Sequence, residues 1–212
     1  MIRYYPLYMD IQEKTFLVIG GGRVACRKIR SLLRSQVSLL VVSKEFSKEL
    51  REIGDERLML YQMSAEEFFE KHGDLLDKVD FALLATDDRE VNRSLAKRMK
   101  ELRILTLVAD EKEESDFIMP SVIEKEMLRI AISTEGGSPV ISKMIKARIE
   151  EVLSDIDFEK LRYIEEVRKV LVEASKRGDK KDVAGICEDL LKANKTEVET
   201  YLKRIKGEEV WK

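Results

Sequence analysis

Thr15-Phe-Leu-Val-Ile-Gly20 is a continuous apolar run rich in β-branched and aromatic residues, the pattern of a strand covered on both faces in a parallel sheet. Three glycines, Gly20, Gly21 and Gly22, end it. Val24, Ala25, Ile29, Leu32 and Leu33 then recur at near-helical spacing, with Arg27, Lys28, Arg30 and Arg34 on the other positions. This predicts strand, glycine turn, helix. The alternation repeats, with strands over residues 37–42, 58–62, 81–85 and 104–108 and helices over 47–53 and 88–100. Such a rhythm predicts an α/β fold, a Rossmann-like doubly wound parallel sheet with right-handed crossovers and ligands at the carboxyl ends of its strands.

After Asp110 the rhythm changes. Residues 111–116 form a charged loop, 117–123 and 128–133 read as two more strands, and Gly136-Gly137-Ser138-Pro139 is a turn whose proline opens a helix through about residue 150. Beyond 151 no strand-like run occurs. Leu161, Ile164, Val167 and Leu171 mark one helical stripe, Gly178 interrupts it, residues 179–192 continue as a second helix, and Thr196 with Glu199 has capping-box spacing for a third. The expected organisation is a Rossmann-like domain over 1–111, a small linking α/β module over 112–150 and a C-terminal helical domain over 151–212.

Composition narrows the function. With 39 Lys and Arg against 41 Asp and Glu, the net charge of −2 argues against nucleic acid as the principal partner. No apolar run approaches the ~20 residues that span a bilayer, and the opening MIRYYPLYMD lacks a secretory pattern, so neither membrane insertion nor export is expected and the predicted location is the cytoplasm. Cys26 and Cys187 have no second Cys or His near them in sequence, so no metal site is predicted, and each reads as a small packed residue. A single histidine, His72, excludes mechanisms built on several imidazoles and reads as a surface residue at a charged helix end. Acid–base chemistry falls to carboxylates.

Gly20-Gly21-Gly22-Arg23-Val24-Ala25 is a G-x-G-x-x-A form of the dinucleotide fingerprint, set between strand and helix. Gly20 permits the tight turn, Gly22 lets backbone approach a pyrophosphate, and Ala25 allows close packing of helix on strand. The second strand is followed by Ser43, Lys44 and Glu45 rather than directly by an acid. Glu45 is placed for a ribose hydroxyl, Arg23 or Lys44 for a 2′-phosphate, and the choice between NAD and NADP stays open. Thr86-Asp87-Asp88 follows the fourth strand, with Asp88 in the position of a helix N-cap, and Asp110 closes the fifth. A carboxylate desolvated at such a strand end has the raised pKa of a general acid or base near neutral pH. Ser138 reads as turn chemistry or an anion contact.

These residues together resemble the siroheme synthase family's dehydrogenase module. The resemblance is carried by Tyr5-Pro6-Leu7, by Val18 through Lys28, by Ala85-Thr-Asp-Asp88 with Val91-Asn92, by Val108-Ala-Asp110, by Asp116 through Ser121 and by Ala131 through Val140, in that order over about residues 3–150. It implies a cytoplasmic homodimer, joined through about residues 112–150, in which NAD⁺ oxidises precorrin-2 to sirohydrochlorin on the way to sirohaem. Some members also insert ferrous iron. It further implies cofactor contacts at Gly20, Gly21, Gly22, Arg23 and Val24, at Ser43, Lys44 and Glu45, and at Thr86 and Asp87. Asp110 takes the place of the family's acid–base carboxylate. For a substrate rich in carboxylates, Ser138, Lys143 and Lys146 are the contact candidates. The alternative from another class is a regulatory Rossmann module that senses NAD without turning it over.

Overall fold

The computed structural model describes residues 3–109, 111–135, 137–177 and 181–207. The chain divides into two compact units, residues 1–120 with 133–139 and residues 121–132 with 140–212.

In the first unit the elements run β1 (Thr15–Ile19), α1 (Arg23–Leu32), β2 (Ser38–Ser43), α2 (Lys48–Arg51), β3 (Leu58–Gln62), α3 (Ala65–His72), a 3-10 helix (Gly73–Lys78), β4 (Phe81–Leu84), α4 (Arg89–Glu101) and β5 (Leu105–Val108). The five strands are all parallel, in the order β3-β2-β1-β4-β5. Alternate side chains fill two separate layers, as the two-residue period of a strand requires. Leu17, Ile19, Leu40, Val42, Ala82 and Leu84 face Phe68, Leu95, Ala96 and Met99 of α3 and α4. Phe16, Val18, Leu39, Val41, Phe81 and Leu83 face Ala25, Cys26, Ile29 and Leu32 of α1, and Leu50 of α2. The reversal of strand order between β1 and β4 puts the ligand crevice at their carboxyl ends.

Some local expectations move. The strand expected over 117–123 begins only at Ser121, because Pro120 has no N–H for a ladder. Phe117 and Met119 instead pack on the α1 layer, Phe117 edge-on to Phe81 at 5.7 Å between ring centres. The residues ahead of them cover the open side of β5: Asp116 N donates to Thr106 O (2.7 Å), Asp116 Oδ2 accepts from Thr106 N (2.9 Å) and Ser115 Oγ accepts from Val108 N (2.9 Å). An edge strand thereby loses the unpaired donors that recruit other chains. His72 is not a freely solvated surface residue: it lies half-buried with its ring centre 5.0 Å from that of Tyr61 and 5.4 Å from that of Phe68.

The second unit holds an antiparallel hairpin, β6 (Ser121–Lys125) and β7 (Leu128–Ile132), then α5 (Pro139–Ser154, from Val140 onward), α6 (Phe158–Lys176), α7 (Val183–Lys192) and α8 (Lys195–Lys206). Ile164, Val167, Leu171, Leu190, Val198 and Leu202 form the core of the last three helices. The capping box opening α8 is Asn194 with Glu197, two residues before the expected pair: Asn194 Oδ1 accepts from Glu197 N (3.0 Å) and Glu197 Oε2 from Asn194 N (2.9 Å).

Candidate functional site

Each glycine of the β1–α1 turn has its own job. Gly20 has a φ of 127°, its N–H donates to Val42 O (2.9 Å), and a Cβ there would lie 2.2 Å from Ala85 O at the end of β4. No other residue fits. At Gly21 the backbone is ordinary but a Cβ would lie 2.1 Å from Glu45 O and 2.8 Å from Ser43 Oγ, while Gly21 O accepts from Ser47 N (2.9 Å). Gly21 therefore seats the β2–α2 loop against the turn, a role the fingerprint alone does not disclose. Gly22 is exposed, and a Cβ on it would meet nothing within 4 Å.

Gly22 is also the N-cap of α1, with no side-chain cap and no acidic residue in the first turn. By contrast Ser47, Ser64, Asp88, Asp157, Asp182 and Asn194 each cap a helix with a side-chain oxygen. An uncapped helix start presents backbone N–H groups and the positive end of a dipole to open space, the arrangement that binds pyrophosphate. The turn thus fits a dinucleotide. Arg23 and Val24 are exposed beside it.

At the end of β2, Ser43 Oγ donates to Glu45 O (2.6 Å) and shapes the loop from within, while Lys44 and Glu45 are exposed. After β4, Asp87 is exposed and Asp88 caps α4, accepting from Glu90 N (2.9 Å) and Val91 N (3.2 Å). Thr86 is held by Asn92, a buried residue that sequence reasoning met only as part of a resemblance. A polar residue on the apolar stripe of a helix was the available signal.

Asp110 lies outside the described residues. Its neighbours are anchored: Ala109 N donates to Leu84 O (2.8 Å), and Glu111 Oε2 accepts from Arg93 Nε (3.1 Å). The Glu111 side chain is only 11 % exposed, and its carboxylate raises the Arg93 guanidinium above its ordinary range. Tyr4 Oη donates to Lys112 O (2.9 Å), and Arg3 donates to Glu113 O (2.9 Å), so the N-terminal segment straps the same loop. Ser138 N donates to Thr134 Oγ1 (3.1 Å). Lys143 is exposed, whereas Lys146 Nζ donates to Val122 O (2.8 Å) and lies 3.8 Å from Glu150, so its ammonium is already engaged.

A family model described as putative NAD(P)-binding matches residues 7–121, the span holding the crevice and all five parallel strands. The chain belongs to this NAD(P)-binding family. It is also 34 % identical over 150 residues to the siroheme synthase of Nitrosomonas europaea, covering 71 % of this chain and 31 % of that one. It is 35 % identical over 152 residues to the siroheme synthase of Chromobacterium violaceum, covering 72 % and 31 %. The kinship read from the sequence is borne out, and the chain spans about a third of the length of these curated relatives. A solved structure of SirC, precorrin-2 dehydrogenase, shares the fold, with a TM-score of 0.68 over 96 % of this chain and all of the other at 24 % identity.

Proposed function

We propose that this protein is an NAD⁺-dependent precorrin-2 dehydrogenase of sirohaem biosynthesis. One observation carries the reading: the uncapped start of α1 at Gly22, opening on free space beside the β1–β4 crevice, in a chain whose relatives are siroheme synthases. In this reading Gly20, Gly21 and Gly22 shape the pyrophosphate cradle with Arg23 and Val24 at its rim. Ser43, Lys44 and Glu45 border the adenosine end, and Thr86 and Asp87 the crevice floor.

Oxidising a reduced tetrapyrrole removes a hydride and a proton. NAD⁺ supplies the acceptor for the hydride. The proton needs a base on this chain, and with one histidine, its ring tilted against those of Tyr61 and Phe68, Asp110 is the carboxylate assigned to it. Lys143 and Ser138 are the preferred contacts for the substrate's carboxylates. Lys146 is the weaker candidate because its ammonium would first have to leave Val122 O.

The test is an anaerobic assay with precorrin-2 and NAD⁺ that follows NADH and sirohydrochlorin together. Asp110→Ala should lower kcat by about 10²-fold or more, the usual worth of a positioned base. NAD⁺ binding without turnover by the unsubstituted protein would favour the sensing alternative and end the dehydrogenase reading.

A homodimer belongs to the same proposal. Along α5, Val140 is 77 % and Met144 65 % exposed, with Ile141, Ile145 and Val152 also exposed, an apolar face of the kind that pairs with a second copy. Light scattering should give twice the 24.6 kDa chain mass, and Val140→Glu with Met144→Glu should halve it. The reading carries with it a cytoplasmic location. Among the described residues no helix is long and apolar enough to cross a membrane.

A further inference from the structure

We infer, on the dinucleotide-binding reading above, that Asn92 is a positioning residue that sets the floor of the cofactor crevice through Thr86. Asn92 stands on the inward stripe of α4 with Leu95, Ala96 and Met99 and is 3 % exposed. Packing alone would place an aliphatic residue there, since asparagine is a poor helix former and its buried amide needs partners.

All of those partners come from one residue. Asn92 Oδ1 accepts from Thr86 N (3.2 Å) and from Thr86 Oγ1 (2.8 Å), and Asn92 Nδ2 donates to Thr86 O (3.1 Å). The side-chain amide therefore does for Thr86 what a neighbouring strand would do, pairing both its backbone groups just where β4 leaves the sheet. Ala85 N still donates to Ile19 O (2.8 Å), and Ala85 O lies against the space a Cβ on Gly20 would need. One step further the chain must turn away from β1, or it would close the crevice. Asn92 draws it toward α4.

The Thr86 hydroxyl is engaged in the same loop. Its proton is shared between Asn92 Oδ1 and Asp88 O (3.0 Å), and its oxygen accepts from Asp88 N (3.3 Å). Thr86, expected to meet the cofactor, thus has its hydroxyl and both backbone groups tied within the β4–α4 loop. The neighbouring exposed Asp87 is left to border the ligand, at a depth that Asn92 fixes.

The test uses the full chain with NAD⁺ as the probe. Asn92→Leu suits the apolar stripe but releases Thr86, and it should raise the NAD⁺ Kd by calorimetry roughly tenfold or more. The KM for NAD⁺ should rise with it, while the KM for precorrin-2 stays within twofold. Met99→Val, seven residues along the same stripe, controls for lost packing and should leave the NAD⁺ Kd within twofold. Should Asn92→Leu fail to fold, Thr86→Val removes only the hydroxyl and its bonds, and it should weaken NAD⁺ at least threefold. An NAD⁺ Kd within twofold in folded Asn92→Leu, or an equal rise in Met99→Val, overturns the inference. So does unchanged affinity in Thr86→Val if that variant has to stand in. A folded wild-type protein without affinity for NAD⁺ overturns the functional reading and this inference together, whereas wild-type affinity that the substitutions leave unaltered overturns this inference alone.

Discussion

A methyl group at Gly20 would sit 2.2 Å from a carbonyl oxygen at a φ of 127°, whereas one at Gly22 would meet nothing within 4 Å. Two glycines two residues apart should therefore fail in opposite ways. Gly20→Ala loads strain and a backbone clash onto the turn, costs roughly 1–3 kcal/mol or more, and should lower Tm and abolish NAD⁺ binding. Gly22→Asp places a carboxylate at an N-cap whose φ of −82° and ψ of −174° already suit one. The ligand-free protein should melt at the same temperature or slightly higher. Its affinity for NAD⁺ should fall about tenfold or more, because the new charge faces the pyrophosphate. Thermal melts and NAD⁺ titrations on the two variants check both signs.

Among the elements, the loop before β3 is fastened to the end of α1 by Arg57, which donates to Leu33 O (2.9 Å) and Ser35 O (2.6 Å) and pairs with Asp55 at 2.6 Å. The Arg57 hydrogen bond holds the Asp55 carboxyl at about 2. Its folded pKa lies below the unfolded value of about 3.9. The pair's contribution is therefore complete above roughly pH 4 and is lost as the pH falls through about 2. The Tm gap between wild type and Asp55→Asn should be present at pH 5 and close as the pH approaches 2. A gap that stays constant would show that the ion pair contributes nothing. Strands buried on both faces, such as Phe16 to Ile19, were legible because their apolar runs admit one arrangement. The capping box was not, since Asn194-x-x-Glu197 and Thr196-x-x-Glu199 satisfy the same spacing and only the backbone decides. α3 was seen only as a charged helix end, because its inward residues, Phe68 and Phe69, sit side by side among charges. Among site residues the glycines were legible from spacing. Asn92 and the packing of Gly21 depend on contacts across the fold, which spacing does not carry.

At the scale of the whole molecule, the buried hydrophobics among the described residues include two layers around the parallel sheet and a cluster within α6, α7 and α8. Leu171→Ala opens a cavity in that third cluster, where the side chain is 1 % exposed, and should cost about 2–5 kcal/mol. The loss should appear as reduced hydrogen-exchange protection of α6 to α8, with the NAD⁺ Kd unchanged. An equal loss of protection across β1 to β5 would mean that the units unfold as one. The 212-residue chain has a single histidine, and the structure seats it against both Tyr61 and Phe68. Its imidazole protons lie within the ring currents of two neighbours, so one resolved pair of NMR signals, free of overlap from any other histidine, reports whether β3 and α3 are packed.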